Sequence, residues 1–204
     1  MADDNARLVQ QAVSKCISAN AQDQERGAQE MIELASVDGD DNKLMIMRQG
    51  GLKPLIDLLN SNFDYVKRTA ARAIGHLGNC GEVRQQIVLL GGLESIIKLC
   101  REKTGSTQIA GSWALAFFTQ DNDNQLRVED MGGIEICIEM VKSTNIQVQK
   151  NAAWCIRNLV VNDRCRNRFT SRGGLRPLID LSKSGDTLAA HYAGWAKSYL
   201  AREY

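Results

Sequence analysis

The chain has 204 residues, of which 24% are charged, and a net charge of +1 at pH 7, so no global field draws it to nucleic acid or to an acidic membrane. No run of about eighteen apolar residues occurs, so neither a membrane-spanning helix nor direct membrane insertion is expected. The start, Met1-Ala2-Asp3-Asp4, is acidic and unlike a signal peptide, and Ala2 stands where N-myristoylation needs glycine.

In chain order, residues 1–35 read as an incomplete unit with helices over 7–18 and 22–35, followed by a loop at 37–41. Helices over 42–49, 52–60 and 63–78 make a first complete unit, 41–79. The second unit, 81–119, repeats the order with 82–90, 93–101 and 107–119, with a polar loop at 101–106. The third, 122–160, places helices over 123–131, 134–142 and 146–160, and the fourth, 163–201, over 163–170, 175–182 and 186–202. Each complete unit therefore runs short helix, middle helix, long helix. Pro54 and Pro177 both fall in the first turn of a middle helix, where proline is tolerated.

The copies keep one interval. Trp113, Trp154 and Trp195 recur every 41 residues, and so do the pairs Gly50-Gly51, Gly91-Gly92, Gly132-Gly133 and Gly173-Gly174. A period near 40–47 is that of helical repeat arrays, in which each unit contacts only its neighbours. The glycine pairs do not follow strands, so they are turns that exploit positive φ and not phosphate cradles.

The segments Gly50-Gly51-Leu52-Lys53-Pro54-Leu55-Ile56-Asp57-Leu58 and Val148-Gln149-Lys150-Asn151-Ala152-Ala153-Trp154-Cys155-Ile156-Arg157-Asn158-Leu159 carry a resemblance. They are similar to the armadillo repeat of importin-α, β-catenin and the vacuolar armadillo proteins, over essentially the whole chain. The resemblance implies an all-α, right-handed superhelical solenoid forming a single domain, 1–204. It also implies that the long helices line a concave groove that holds an extended peptide.

Residues four apart share a helix face. The groove positions then read Glu25, Gln29, Glu33; Arg68, Arg72, His76; Ile109, Trp113, Phe117; Lys150, Trp154, Asn158; and His191, Trp195, Tyr199. By the resemblance, Asn158 offers its amide to a peptide main chain, and Trp113, Trp154 and Trp195 wall slots for long side chains. Asparagine takes its position once; His76, Phe117 and Tyr199 stand at the equivalents, and no basic arm precedes the repeats, both departures from an importin-α groove. Arg68, Arg72 and His76 form a positive stripe that suits an acidic or phosphorylated peptide or, alternatively, pairs with Glu25 and Glu33 of the adjacent long helix.

Catalysis and metals find no support in the residues. Two histidines, neither in a nucleophile motif, give no triad. Cys16, Cys80, Cys100, Cys137, Cys155 and Cys165 show no C-x-x-C spacing and read as reduced, buried thiols of a cytoplasmic or nuclear protein. The Asp121-Asn122-Asp123-Asn124 cluster lacks the glycine and final glutamate of a calcium loop and reads as a helix cap. No cofactor is implied. The expected function is a non-enzymatic scaffold binding a peptide. The alternatives are self-association through the C-terminal repeat, whose last helix is rich in alanine and aromatic residues, or an import adaptor like importin-α.

Overall fold

The computed structural model describes residues 2–37, 39–102 and 105–201. Position 38 of the expected 37–41 loop, positions 103 and 104 of the 101–106 loop, and 202–204, with the end of the last expected helix, lie outside the described residues.

Among the described residues there are fourteen helices and no strand. The partial unit holds α1 (Ala2–Cys16) and α2 (Ala21–Ala35). The complete units hold α3 (Asp41–Arg48), α4 (Leu52–Leu58) and α5 (Asp64–Gly78); then α6 (Gly81–Leu89), α7 (Gly92–Arg101) and α8 (Gly105–Phe118). There follow α9 (Asn122–Asp130), α10 (Gly133–Val141) and α11 (Ile146–Leu159); then α12 (Asp163–Ser171), α13 (Leu175–Leu181) and α14 (Thr187–Leu200). Every expected helix is present. The largest departure is α1, which starts five residues before the expected position 7. Asp4 is favourable at a helix start because it meets the positive end of the helix dipole. The hydrophobic period alone does not see it.

The chain forms two compact units, Met1–Leu99 and Cys100–Tyr204. In the first, α2 packs on α1 and on α5, and α4 backs α5. In the second, α11 is central: α8 and α14 flank it, and α10 backs it. Small residues permit this close layering. Ala70, Ala73 and Ala114 are fully buried, as are Ala152 and Cys155 of α11 and Ala189, Ala193 and Ala196 of α14.

The glycine pairs do two jobs. The first glycine of each pair is left-handed, with φ of 76° at Gly50, 81° at Gly91, 74° at Gly132 and 77° at Gly173. The second lacks space for a side chain: a Cβ on Gly133 would stand 2.4 Å from Val128 Cγ1 and 2.7 Å from the Val128 carbonyl oxygen. At the first pair, Gly51 N–H donates to the Ile46 carbonyl at 2.9 Å and Gly50 N–H to the Met47 carbonyl at 3.0 Å, which closes the end of α3.

Side chains set the other boundaries. Asn20, Asp121, Asn145, Asn162 and Asp186 cap α2, α9, α11, α12 and α14, each accepting from backbone N–H groups of the first turn. Asp121 Oδ1 accepts from the Asp123 and Asn124 N–H groups at 3.1 Å, the capping role expected of that acidic cluster. A polar side chain on each of three short helices answers the carbonyls that end the preceding long helix. Arg84 reaches Gly78 O at 2.8 Å, Gln125 reaches Thr119 O at 3.0 Å and Arg166 reaches Val160 O at 3.3 Å, again 41 residues apart.

Candidate functional site

The long helices α8, α11 and α14 bring seven of the expected site residues together within the second unit: Trp113, Phe117, Lys150, Trp154, Asn158, Trp195 and Tyr199. Arg68, Arg72 and His76 lie on α5 in the first unit.

On the second unit the aromatic side chains form a row, each half-buried. Trp113 meets Phe117 edge-on with centroids 4.9 Å apart, and Phe117 meets Trp154 edge-on at 5.3 Å. Tyr192 stacks on Trp154 at 6.0 Å and 15°. Trp195 and Tyr199 lie 4.4 Å apart. The Arg157 guanidinium sits over the Trp195 ring at 4.5 Å and near the Tyr192 ring at 5.8 Å. Geometries of this kind contribute about 1 kcal/mol per pair beyond the area they bury.

Asn158 is held from behind. Its Nδ2 donates to the Ala116 carbonyl at 3.3 Å and to Thr119 Oγ1 at 3.1 Å, so both amide hydrogens are directed into α8 and its C-terminal end. Oδ1 remains as the group that can accept a hydrogen bond from a peptide N–H. One turn-pair earlier, Asn151 is buried and its Nδ2 donates to Ile109 O at 3.2 Å and Ser112 Oγ at 3.0 Å. Lys150 is answered by Asp186 at 3.6 Å. Asp186 itself is held below the usual carboxylate range, first by the Ala189 N–H it caps and then by the Lys150 charge.

In the first unit, Arg68 Nη2 lies 3.9 Å from Glu25 Oε1, the inter-repeat pair expected as the alternative to ligand binding. Glu25 also receives the Thr69 hydroxyl at 3.5 Å. Glu33 accepts from Gln29 Nε2 at 3.3 Å within its own helix. The His76 imidazole is pushed below its ordinary value, first by burial and then by the Arg72 and Lys43 charges. Arg72 is exposed.

Three features of the site escape a reading by fours along each helix. Tyr192 is three residues before Trp195 and reaches sideways to Trp154, so only the packing of α14 on α11 reveals it. Arg157 reads from sequence as a solvated charge or an ion pair, yet its partners are rings. Thr119, at the end of α8, is a hydrogen-bond anchor with no motif to mark it. A signal was available for Asn151: a polar residue on the apolar face of α11 needs a partner.

The last helix turns Ala189, Ala193, Ala196 and Leu200 inward, and its aromatics lie along the row. Leu188, 53% exposed, is the large aliphatic it leaves outside, and Leu175 of α13 is 38% exposed. Among the described residues no group of three or more potential metal ligands occurs, and no helix is long and apolar enough to cross a membrane. The six cysteines are buried thiols; burial pushes Cys16 up to about 12 and Cys165 up to about 11.

The Armadillo/beta-catenin-like repeat model matches residues 39–78 and 121–161. No curated protein sequence matches the chain. Among solved structures, an engineered protein superposes with a TM-score of 0.89 at 27% identity, over 97% of this chain and 79% of that one. A computationally designed armadillo repeat protein for modular peptide recognition superposes at 0.85 with 19% identity, over 92% of this chain and 80% of that one. A designed armadillo repeat protein in complex with the peptide (KR)4 superposes at 0.87 with 20% identity, over 98% of this chain and 82% of that one.

Proposed function

Because the chain is an armadillo-repeat protein, we propose that it is a non-enzymatic scaffold that holds an extended segment of a partner protein along α8, α11 and α14. The observation that carries this reading is the half-buried row from Trp113 to Tyr199 beside Asn158, whose Oδ1 has no partner among the described residues. Aromatic rings supply rigid contact area at small entropic cost, and a fixed amide oxygen sets the register of an extended main chain. A designed armadillo protein for modular peptide recognition and another in complex with a peptide are in keeping with it.

The other readings gain less. Nuclear import in the manner of importin-α calls for a ladder of asparagines along the groove, and this chain places asparagine at that position only at Asn158. Self-association through the C-terminal repeat rests on Leu175 and Leu188, a small apolar area. Arg68, Arg72 and His76 stand outside this site, and Arg68 already has Glu25.

Selection of extended peptides from a random library, followed by titration of wild type and variants, tests the proposal. Asn158→Ala is expected to weaken a selected peptide by about 1–2 kcal/mol, the scale of a lost buried hydrogen bond. The Trp154→Ala/Asn158→Ala double variant should bind at least about tenfold more weakly than wild type. Equal affinity in a folded double variant would mean that the row only packs the helices together.

A further inference from the structure

We propose that the segment held on this face is acidic, and that Arg157, lying across Trp195, receives one of its carboxylates. This rests on the peptide-binding reading above and adds the charge of the partner.

Three observations converge. First, α8, α11 and α14, of 14 residues each, contain no aspartate or glutamate. The nearest carboxylate in sequence, Asp186, caps α14 and faces Lys150. A basic segment would therefore find no counter-charge along the row, and an acidic one finds no repulsion.

Second, the places between tryptophans where a cationic side chain would slot are filled by the protein itself. A guest sandwiched between two ring faces needs about 7 Å, twice a carbon–carbon contact of about 3.5 Å. Phe117 stands between Trp113 and Trp154, with centroids at 4.9 and 5.3 Å. Tyr192 lies on Trp154 at 6.0 Å. The cation site on Trp195 is taken by Arg157.

Third, Arg157 carries a charge that no carboxylate answers among the described residues, and its Nε is buried without a hydrogen-bond partner. The three arginines of α12, by contrast, each meet an acid: Arg164 meets Glu129 at 2.6 Å, Arg166 meets Asp163 at 2.7 Å and Arg168 meets Glu135 at 2.8 Å. A guanidinium stacked on a ring keeps its in-plane donors for an anion, and the fork matches a carboxylate. Stacking also fixes its orientation before a ligand arrives, so little rotamer freedom is lost on binding. Single-stranded nucleic acid shares the negative charge but needs open ring faces on which to stack bases. Here Arg157 takes one face of Trp195 and Tyr192 takes one face of Trp154.

The test titrates the whole chain with labelled peptides of one length carrying glutamate, glutamine or lysine at alternate positions, and with an oligothymidylate, by fluorescence anisotropy. The glutamate peptide is expected to bind about tenfold more tightly than the glutamine peptide, the return on one charge-assisted hydrogen-bonded pair. Arg157→Gln should erase that preference, and Arg157→Lys should keep part of it, since lysine retains the charge without the fork. Helical circular dichroism confirms folding; if Arg157→Gln fails to fold, the partial loss in Arg157→Lys is the deciding measurement. Equal or tighter binding of the glutamine peptide, the lysine peptide or the oligothymidylate overturns the acidic assignment, as does a preference undiminished in the folded variants. Where a neutral or basic peptide binds and the Trp154→Ala/Asn158→Ala variant loses it, the scaffold reading stands and this inference alone falls. Where no peptide binds, both fall.

Discussion

Asn151 and Asn158 stand seven residues apart on α11, and their amides separate structure from binding. Asn151 is 9% exposed and ties α11 to α8 through Ile109 O and Ser112 Oγ. Removing that amide takes its donor from the buried Ser112 Oγ, which costs more than the mean worth of a hydrogen bond. Asn151→Ala is therefore expected to lower the unfolding free energy by about 2 kcal/mol, read as a fall in the urea midpoint at constant slope. An unchanged midpoint would show that water or Ser112 takes over the bonds. Asn158 also reaches α8, but it is half-buried and its oxygen is unengaged. Its variants must thus be read for affinity against a measured stability. The sequence places both residues on α11. It does not show which one is buried, because helix spacing gives a face and the neighbouring helix decides what that face meets.

At the scale of the element, the boundaries were legible wherever a local chemical signal coincided with the hydrophobic period. Asn145 before α11 and Asp186 before α14 are examples, with side chains that accept from first-turn N–H groups. The glycine pairs marked every junction between short and middle helix, but the sequence suggested one reason for them where the structure has two. Gly173 has φ of 77° and open space around it, so alanine there meets only backbone strain. Gly133 has ordinary φ and no room, with the Val128 carbonyl oxygen 2.7 Å from where a Cβ would stand. Gly173→Ala is expected to cost about 1 kcal/mol and Gly133→Ala about 3 kcal/mol, compared in thermal melts of the two variants. The reverse order would contradict this division of labour. Where the hydrophobic period was the only guide, boundaries drifted: α1 begins well before Leu8, its first large apolar residue, and α8 begins at Gly105, two residues before the expected 107.

At the scale of the whole molecule, the interval of 41 residues carried the fold class, because a unit copied in register must stack on its copies to bury its face. The site was legible only in part. The tryptophan row followed from the interval, but the Tyr192 and Arg157 contacts depend on how α14 lies on α11, which no periodicity encodes. The stability of the whole chain should also carry the imprint of one half-buried group. His76 titrates below its ordinary 6.5 because burial, and then Arg72 and Lys43, disfavour the imidazolium. The unfolded chain therefore binds a proton more readily than the folded one, and unfolding takes up a proton in the window below 6.5. Stability is then flat above that window and falls as the pH drops through it. Asp186 is shifted below 3.8, so its contribution, present above that value, is lost only in stronger acid and does not overlap. Urea midpoints measured from about pH 7.5 down to about pH 5 should decline for the wild type. They should stay level for His76→Gln, which keeps a polar side chain but cannot be protonated. A decline of equal slope in the two proteins would assign the acid sensitivity to another group and remove His76 from the account.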